Sequence, residues 1–527
     1  MKIDLKTIFK QIAMVAKKEK TPVYVVGGFV RDCLLGSHPT SILPSGRGGS
    51  VQDVDFVVVG SGLAFAKKFD IKMKKCGSLV EFPDFDTARY VFGETTPRLP
   101  LKGEEHISPP FKEGVGGGLV VEFAGARCES YQEKSRKPKV QSATLEQDLS
   151  RRDFTVNAMA VDLSKLSSRG AQRRGDLIVG RLLRFARNDI IDPFGGQKDL
   201  KDKILRTPLN SDITFSDDPL RMLRAVRFAA QLDFAIESKT LEAIYKNRER
   251  IKIVSAERVQ EELLKLLYCQ KPSIGLTLMF QTHLMDLILP EVSALDGVEE
   301  IFGHQHKNNL VHTFKVVDNI SQRSDNSLLR LAGLLHDIGK VGTKKFLPKI
   351  GWTFHAHEHL GKKLANDLLR RLKFAVSDIK YVCKLVRYHQ QPIALMDEGI
   401  TDSAVRRLVV NLEEKLDDLL ILGVSDITTG NPYKLDKRQK NYDRLRKRIA
   451  EVLEKDKLRA FQSPVRGDEI MKECGLKPGP TVGKIKKAIE EAILDGVISN
   501  EYEAANKYFT KIKGDYLKSV QDWEKIK

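Results

Sequence analysis

Near residue 205 the hydrophobic pattern of the chain changes from short strands mixed with helices to helices alone. Before this point, strand patterns at Val23–Val26 and residues 55–59 flank a helical pattern that starts at Phe29, and another strand is predicted at residues 119–123. Beyond it, segments such as DDPLRMLRAVRFAAQL carry apolar residues at helical spacing. Because 527 residues are too many for one hydrophobic core, we predict an α/β domain followed by several helical domains.

Three stretches interrupt the first domain without apolar periodicity, at residues 37–52, 95–118 and 165–188. They are rich in Gly, Pro, Ser and Arg, as in PPFKEGVGGG and SSRGAQRRGD. This composition is typical of loops. We therefore predict that residues 1–204 form one domain with three mobile surface insertions.

The charge of the chain favours a polyanionic partner. Its 88 Lys and Arg exceed its 70 Asp and Glu, which gives a formal charge of +18, and such a balance is typical of proteins that bind nucleic acid. Six cysteines without a CxxC pair indicate neither a disulfide framework nor a zinc ribbon. No apolar run reaches the ~18 residues of a membrane helix, and lysines interrupt the N-terminal helix pattern, so we predict a cytoplasmic protein without a membrane partner.

Two carboxylates stand two residues apart in the strand pattern DVDFVVVG. Side chains at i and i+2 of a strand share a face, so Asp53 and Asp55 point one way while Val54 and Phe56 point the other. Two carboxylates this close repel each other unless a cation joins them. The pair therefore predicts a site for Mg²⁺, which takes oxygen ligands and leaves positions for phosphate oxygens. A solvated strand end is the alternative.

Two glycines end the preceding strand, in VVGGFVRDCLLG. Gly27 and Gly28 lack side chains where the chain turns from strand to helix, so a phosphate can reach backbone N–H groups there. A simple tight turn is the alternative. Arg31, one turn into the helix, either contacts phosphate or pairs with Asp32.

A basic stripe follows an acidic helix start in SDDPLRMLRAVRF. Arg221, Arg224 and Arg227 recur at helical spacing. A carboxylate accepts hydrogen bonds and a guanidinium donates them, so Asp218 with Arg221 matches the amine-plus-acceptor edge that cytosine and adenine share. A solvent-facing amphipathic helix, or use of Asp218 as a helix cap, is the alternative.

Five segments in this order resemble the class II tRNA nucleotidyltransferase and bacterial poly(A) polymerase family: GGFVRDCLLG, DVDF, RRDFTVNAMA, DPFGG and DDPLRMLRAVRFAA. The resemblance implies an α/β nucleotidyltransferase head on a five-stranded mixed sheet, followed by an all-α neck and body, and a tail. It implies that Asp53 and Asp55 hold the catalytic Mg²⁺ ions. A third carboxylate commonly helps in such enzymes, and Glu122 is the candidate.

The same resemblance assigns the nucleotide contacts. It implies that Arg152 and Asp153 contact phosphate or ribose, and that DPFGG acts as a hinge. Asp218 and Arg221 would be the protein template that selects CTP and ATP. The implied nucleotide-binding set is Gly27, Gly28, Arg31, Arg152, Asp153, Asp218, Arg221, Arg224 and Arg227.

Histidines and acids recur in LAGLLHDIGK and in the neighbouring VHTFKVVDN, FHAHEHLG, VRYHQQ and VSDITTG. This set resembles an HD-type metal-dependent phosphohydrolase domain, which some members of the family carry at this position. Imidazole and carboxylate together suit a divalent transition metal, whose bound water becomes a nucleophile near neutral pH. A silent HD domain with only a structural role is the alternative. The resemblance implies four core ligands, His312, His336, Asp337 and Asp426, and two further ligands for a second metal, His357 and His389.

Four other histidines have no such role in the resemblance. We expect surface or supporting positions for His304, His306, His355 and His359.

The remaining chain completes the predicted domain order. We expect a helical neck and body at residues 205–295, the HD domain at 300–430, and a basic helical tail that binds tRNA at 431–527. Residues 434–448 hold eight Lys or Arg against two Asp. The segment GLKPGPTVGK resembles the tail of longer family members.

These inferences predict an enzyme that adds CCA, or part of it, to tRNA 3′ ends from CTP and ATP, with an appended HD phosphohydrolase. A poly(A) polymerase shares the head motifs and is the nearest alternative. An HD phosphohydrolase with an inactive RNA-binding head, and an RNA-binding protein without catalysis, are the others.

Overall fold

The computed structural model describes thirteen stretches of the chain: residues 5–36, 43–45, 49–74, 76–92, 119–130, 139–163, 190–298, 300–301, 304–305, 308–396, 401–456, 463–518 and 520–525. The predicted insertions 95–118 and 165–188 lie outside them. The chain divides into two compact units. The first comprises Met1–Ser293 with Asp325–Ser327 and Arg371–Phe374, and the second comprises Ala294–Ser324, Leu328–Arg370 and Ala375–Lys527.

A mixed sheet organises the first unit. Its strands are β1 Val23–Val26, β2 Leu43–Ser45, β3 Gly49–Val58, β4 Ser78–Phe82, β5 Thr87–Phe92, β6 Leu119–Gly125, β9 Ala160–Asp162 and β10 Ile190–Ile191. Seven follow the order β10-β9-β1-β3-β6-β5-β4, and β2 pairs with the start of β3. The expected five-stranded sheet is therefore wrong, because short strands such as β10 carry no periodic signal of their own. Residues 43–45 and 49–52 of the first predicted insertion form the β2–β3 hairpin.

The register of the sheet brings acidic residues together. Strand β3 runs parallel to β6 and places Asp55 opposite Glu122, whereas its pairing with β1 is antiparallel. Val54 and Phe56 are buried, as the alternation of β3 predicts. Phe56 stacks on Phe123 with ring centroids 5.4 Å apart. The apolar face of β3 thus fixes the orientation of its acidic face.

Helices accompany this sheet, and the part of the first unit that follows the sheet is mainly helical. Two short strand pairs accompany them: β7 Arg127–Ser130 with β8 Lys139–Ser142, and β11 Ile204–Leu205 with β12 Ala235–Ile236. The helices of the first unit are α1 Leu5–Glu19, α2 Gly28–Leu34, α3 Gly62–Lys72, α4 Leu145–Ser150, α5 Gly196–Asp202, α6 Ser211–Asp217, α7 Leu220–Leu232, α8 Ser238–Asn247, α9 Ala256–Tyr268, α10 Pro272–Gln281, α11 Leu284–Ile288 and α12 Pro290–Ser293.

In its described residues, the second unit is mainly helical and has two hairpins, β13 Glu300–Ile301 with β14 His304–Gln305, and β15 Lys345–Leu347 with β16 Gly351–Thr353. Over the residues described, no helix is both long and apolar enough to cross a bilayer. The helices are α13 Asn309–Ser321, α14 Ser327–Leu335, α15 Lys340–Thr343, α16 His357–Arg371, α17 Val376–Tyr388, α18 Gln391–Ala394, α19 Asp402–Leu412, α20 Leu416–Ser425, α21 Pro432–Asp456, α22 Gly467–Cys474, α23 Pro480–Leu494 and α24 Tyr502–Leu517.

Candidate active sites

Three carboxylates meet on one face of the sheet. Asp53 and Asp55 extend from β3, and Glu122 lies opposite Asp55 on β6. Arg89, opposite Glu122 on β5, donates from Nε to Glu122 Oε2 at 2.6 Å. Arg89 was absent from the sequence prediction, because its role depends on strand pairing across 33 residues.

The carboxylates of this site repel one another. Burial and the charge of Glu122 raise the pKa of Asp53 to about 6, although Arg89 opposes the shift. Asp55 as a whole residue is exposed, but the surrounding protein reduces the solvation of its carboxylate. This desolvation, together with the charges of Asp53 and Glu122, raises the pKa of Asp55 to about 7. Asp53 Oδ1 is buried and has no hydrogen-bond partner within the described residues. An unpartnered oxygen beside two mutually repelling carboxylates fits a divalent cation.

The predicted glycine turn lies directly against this acidic site. Gly27 adopts φ 75°, and a Cβ atom built on it would lie 3.0 Å from Arg152 Nη1 and 3.6 Å from Asp55 Oδ2. A side chain here would be strained and would crowd both groups. Gly28 begins α2, which is seven residues long. Arg152 also contacts Asp148 Oδ2 at 3.3 Å, so it stands between two acidic groups.

Arg31 is almost fully buried, at 2% exposure. Its Nε donates to Asp32 Oδ1 at 2.7 Å, and its Nη1 donates to Asn157 Oδ1 at 2.8 Å. The sequence left two roles open for Arg31, and the structure shows its pairing with Asp32. Asn157 in turn donates from Nδ2 to Asp153 Oδ1 at 3.0 Å, so Arg31 braces the RRDF segment.

Asp153 connects the RRDF segment to the basic helix α7. Arg224 donates to Asp153 Oδ2 from Nε at 2.9 Å and from Nη2 at 2.6 Å. Burial alone would raise the pKa of Asp153, but Arg224 and Asn157 hold that pKa at about 2. The predicted nucleotide contacts of Arg224 and Asp153 therefore start from an ion pair in which Asp153 is buried and Arg224 is half-buried.

Arg227 occupies a second buried ion pair. Its Nε donates to Glu262 Oε2 at 2.6 Å, and its guanidinium lies 4.0 Å from the ring centroid of Phe228. Burial opposes ionisation of Glu262, but Arg227 and Arg224 lower its pKa to about 2. The structure thus commits Arg227 to protein contacts in the first unit.

Asp218 and Arg221, the predicted base-selecting pair, are not bonded to each other. Asp218 Oδ2 accepts from Arg258 Nη2 at 3.2 Å, and Asp218 Oδ1 accepts from the backbone N–H of Leu220 at 3.2 Å. Arg221 Nη2 donates to the carbonyl of Arg151 at 2.6 Å. Sequence reasoning missed Arg258, since no local pattern links residues 40 positions apart.

The second unit gathers the predicted HD residues around one point. His312 lies on α13, His336 and Asp337 follow α14, and the remaining ligands come from the ends of helices α16, α17 and α20. They form two groups, in each of which the ligand atoms lie within 4.8 Å of one another. The first group is His312, His336 and Asp426, and the second is Asp337, His357 and His389.

Asp337 faces both groups. Its Oδ2 lies 3.1 Å from His336 Nε2 and 3.6 Å from His312 Nε2. Its Oδ1 lies 3.3 Å from His357 Nε2 and 3.8 Å from His389 Nε2. One carboxylate thus touches the ligand atoms of all four imidazoles.

Hydrogen bonds fix the direction of each imidazole. The Nδ1 atoms of His336, His357 and His389 lie 2.7 to 2.8 Å from the carbonyls of residues 333, 354 and 386. His312 Nδ1 lies 2.8 Å from Thr428 Oγ1. Because Nδ1 is engaged with an outer partner, Nε2 of each ring points into the site, as second-shell contacts do for metal-bound histidines. Gly339 permits this packing, since a Cβ there would overlap the carbonyl oxygen of His357.

Unpartnered atoms in this site fit a metal. His336 Nε2 and Asp337 Oδ1 are buried without a hydrogen bond of acceptable geometry to any described residue. Burial opposes ionisation of Asp337, but His336 and Lys340 lower its pKa well below the ordinary value. Lys340 Nζ lies 2.5 Å from Asp337 Oδ2. Lys340 was missed by the sequence prediction, although it stands in the same HDIGK segment.

The other histidines lie apart from this cluster where they are described. His355 and His359 are exposed, and His359 Nε2 lies 3.6 Å from Glu358. His306 and the side chain of His304 fall outside the described residues.

The two units together define a class of protein: a nucleotidyltransferase-type α/β head with an acidic cation site, combined with a histidine and aspartate site on a helical scaffold. Three family models match the chain. They are a poly A polymerase head domain at residues 23–206, a probable RNA and SrmB-binding site of polymerase A at 233–295, and an HD domain at 308–429.

Similarity to known proteins identifies the family. An A-adding tRNA nucleotidyltransferase from Deinococcus radiodurans is 33% identical over 370 residues, which cover 68% of this chain and 78% of the relative. A CC-adding tRNA nucleotidyltransferase from Thermus thermophilus is 29% identical over 492 residues, covering 91% and 92%. The chain therefore belongs to the tRNA nucleotidyltransferase and poly(A) polymerase family, with an HD domain, as the motifs predicted.

A solved structure agrees with this fold. The Bacillus stearothermophilus CCA-adding enzyme in complex with CTP matches with a TM-score of 0.58 at 21% identity, covering 99% of this chain and all of the other. At this identity the likeness shows the shared fold alone.

Proposed function

We propose that this protein adds CCA, or part of it, to the 3′ ends of tRNA from CTP and ATP, and that its HD domain is a metal-dependent phosphohydrolase. The head corresponds to residues 1–204, the neck and body to 205–295, the HD domain to 300–430 and the basic tail to 431–527. The protein would act in the cytoplasm, where tRNA and nucleotides meet. The observation that supports the proposal most is the cluster of Asp53, Asp55 and Glu122 beside the glycine turn.

The acidic residues of the head would hold Mg²⁺. The chemistry that Mg²⁺ would supply there is activation of the RNA 3′-hydroxyl and compensation of the charge on the leaving pyrophosphate. Asp53 and Asp55 supply the ligands, and Glu122 is oriented by its bond to Arg89. Gly27 leaves room for a phosphate beside Arg152, whose charge faces the same carboxylates. No side chain has to form a covalent intermediate, since the hydroxyl attacks the α-phosphate directly.

Base selection would use the start of α7. Asp218 accepts the exocyclic amine of cytosine or adenine, and Arg221 donates to the ring acceptor beside it. Both side chains hold protein partners in this structure, Arg258 for Asp218 and the Arg151 carbonyl for Arg221. When the nucleotide binds, Arg221 exchanges the Arg151 carbonyl for the base. The Asp218 carboxylate can accept several hydrogen bonds, so it keeps Arg258 and accepts the amine as well. Uracil and guanine lack the amine-plus-acceptor edge, so they would leave buried polar groups unpaired.

The HD site would hydrolyse phosphoesters, such as phosphorylated or 2′,3′-cyclic RNA ends. The chemistry that a divalent transition metal would supply there is activation of a water molecule and polarisation of the phosphoryl group. His312, His336, Asp337 and Asp426 would be its core ligands. His357 and His389 face the other oxygen of Asp337, which suits a second metal.

The basic helix α21 would bind tRNA phosphates. Its exposed side chains include Lys437, Arg438, Lys440 and Lys447. Lys and Arg that neutralise phosphates release counterions, so tRNA affinity should fall steeply with salt.

Sequencing the product made on a tRNA transcript that lacks CCA, with CTP and ATP supplied together, tests the proposal. A stop after CCA supports full addition, whereas a stop after CC, or addition of A only to a transcript ending in CC, assigns a partial activity. A long adenosine tract identifies a poly(A) polymerase and rejects tRNA maturation. Absence of any incorporation, with phosphohydrolysis intact, would leave only the HD function.

A further inference from the structure

The basic helix α21 carries one buried tyrosine among its exposed charges. Tyr442 is 2% exposed, whereas Tyr433 on the same helix is 76% exposed. The Tyr442 hydroxyl has no hydrogen-bond partner among the described residues. An unpaired buried hydroxyl is destabilising, so its burial needs a reason.

The phenol lies against the last turn of α20, which leads into the metal-site aspartate. A Cβ atom at Gly423 would overlap the Tyr442 hydroxyl. Gly423 and Asp426 are three residues apart in this helical stretch, so they lie on the same side of it. Because Gly423 has no side chain, Tyr442 of the predicted tail can reach the helical turn that precedes Asp426.

Asp426, which follows this turn, carries the carboxylate nearest in sequence to Gly423, where Tyr442 makes its contact. Its Oδ1 faces His312 Nε2 at 2.9 Å and His336 Nε2 at 3.5 Å, and a carboxylate has a second oxygen that accepts equally well. Burial and the charge of Asp426 raise the pKa of Tyr442. The phenol therefore stays protonated and acts as a donor.

We propose that Tyr442 is a positioning residue for the HD site, and that its hydroxyl donates through one buried water to Asp426. Such a water would supply the partner that the buried hydroxyl lacks among the described residues. The contact orients Asp426 from outside, as carboxylate ligands of metal sites are commonly held by a second hydrogen bond. This inference rests on the proposed metal-binding function of the HD domain. It also makes the predicted tRNA-binding helix a structural part of the phosphohydrolase site.

Titrating the full-length protein with Co²⁺ alone, and following its visible absorption, tests this role. Tyr442→Phe removes only the hydroxyl, and Tyr433→Phe on the exposed face of the same helix is the matched control. We expect the Tyr442→Phe variant to bind Co²⁺ about tenfold more weakly with an altered absorption band, while the control matches the wild type. Incorporation of CTP and ATP should be unchanged in both variants.

Three results would overturn the proposal. If wild type and Tyr442→Phe bind Co²⁺ with equal affinity and give identical spectra, Tyr442 has no positioning role. This result leaves the proposed HD metal site intact. If the metal-free variant unfolds at a lower temperature, and this loss of stability accounts for the weaker binding, Tyr442 has a purely structural role. If Asp337→Asn gives the same Co²⁺ spectrum as the wild type, the HD site does not bind the Co²⁺. The proposed phosphohydrolase function of the HD domain then fails together with this inference, whereas nucleotide addition by the head is untouched.

Discussion

The head site and the HD site bring acidic groups together in opposite ways. In the head, Asp53 and Asp55 share a strand face with Glu122. Burial, together with the charges of neighbouring carboxylates, raises the pKa of Asp53 to about 6 and that of Asp55 to about 7. In the HD site, imidazoles surround Asp337 and lower its pKa. The arrangement in the head therefore favours an added cation, whereas His336 and Lys340 already offset the charge of Asp337 in the HD site.

The two sites also differ in how they are held. The HD imidazoles are fixed from behind by hydrogen bonds at Nδ1, so the ligand atoms converge before any metal binds. In the head, the orienting contacts come from guanidinium groups such as Arg89. Oxygen ligands on a strand suit cations that arrive with a triphosphate, and preset imidazoles suit a metal that stays bound.

Asp55→Asn should produce the largest separation between the two sites. Loss of one ligand charge should lower nucleotide incorporation by roughly 10³-fold or more and leave phosphohydrolysis unchanged. Steady-state assays of both reactions on the same preparation measure this. Asp84→Asn, at an exposed position of the same domain, is the control and should alter neither reaction. Incorporation that persists in Asp55→Asn would show that the head metal assignment is wrong.

Asp337→Asn is the reciprocal change. Because Asp337 faces all four imidazoles, metal affinity of the HD site should fall by more than about 100-fold, beyond the effect of a second-shell change. Metal content after dialysis measures the loss, and CTP and ATP incorporation should remain at the wild-type level. Asp367→Asn, at an exposed position of α16, is the control. Retention of metal by Asp337→Asn would show that Asp337 is not a metal ligand.

Glu262→Gln should destabilise the head and neck without touching either metal site. It leaves the buried Arg227 without a charged partner, which costs about 3 to 5 kcal/mol. Since the pKa of Glu262 is lowered to about 2, the ion pair contributes fully above the unfolded value of about 4.5, and its contribution is lost as pH falls toward 2. The gap in unfolding free energy between wild type and variant should therefore shrink over that range.

Urea unfolding at several pH values checks this prediction. Glu257→Gln on the exposed face of the same helix should show no gap. A gap that widens as the pH falls would contradict the assigned ion pair.

Arg258→Ala should have a moderate effect on nucleotide choice. Asp218 loses its partner, and a hydrogen bond between charged groups contributes about 1.5 to 3 kcal/mol, so kcat/KM for CTP and ATP should fall by about tenfold or more. Discrimination against UTP should weaken as well. Arg258→Lys, which retains the charge, should recover part of the loss, and Lys252→Ala at an exposed position nearby should have no effect. Unchanged discrimination in Arg258→Ala would separate Arg258 from base selection.

Lys437→Gln should have the smallest effect. Removing one phosphate contact from α21 should weaken tRNA binding slightly and reduce the slope of log affinity against log salt by roughly one. Filter binding at several salt concentrations measures the slope. Lys349→Gln, an equal charge change on an exposed turn of the HD domain, should leave it unchanged. A slope that responds equally to both variants would mean that net charge, rather than α21, controls binding.

Much of the fold followed from local patterns. The strands at Val23–Val26 and at β3, the helix after the glycine turn, and the alternation that exposes Asp53 and Asp55 on one face depend on periodicity within a few residues. The number of strands did not follow, because β10 has two residues and is defined by its partner β9. Family resemblance supplied the expected count of five, and the seven-stranded order corrected it.

The chemical type of the candidate metal ligands was also predictable from the sequence, but the hydrogen-bond partners of individual side chains were not. The sequence alone determined two acidic clusters of different character, one of paired carboxylates and one of histidines with aspartates, because residue type fixes which cations a group can hold. Only the tertiary structure decided that Asp218 bonds Arg258 and that Tyr442 reaches the turn of Asp426. Such contacts join residues on different helices, and the packing of those helices, which local spacing does not encode, sets the distance between them.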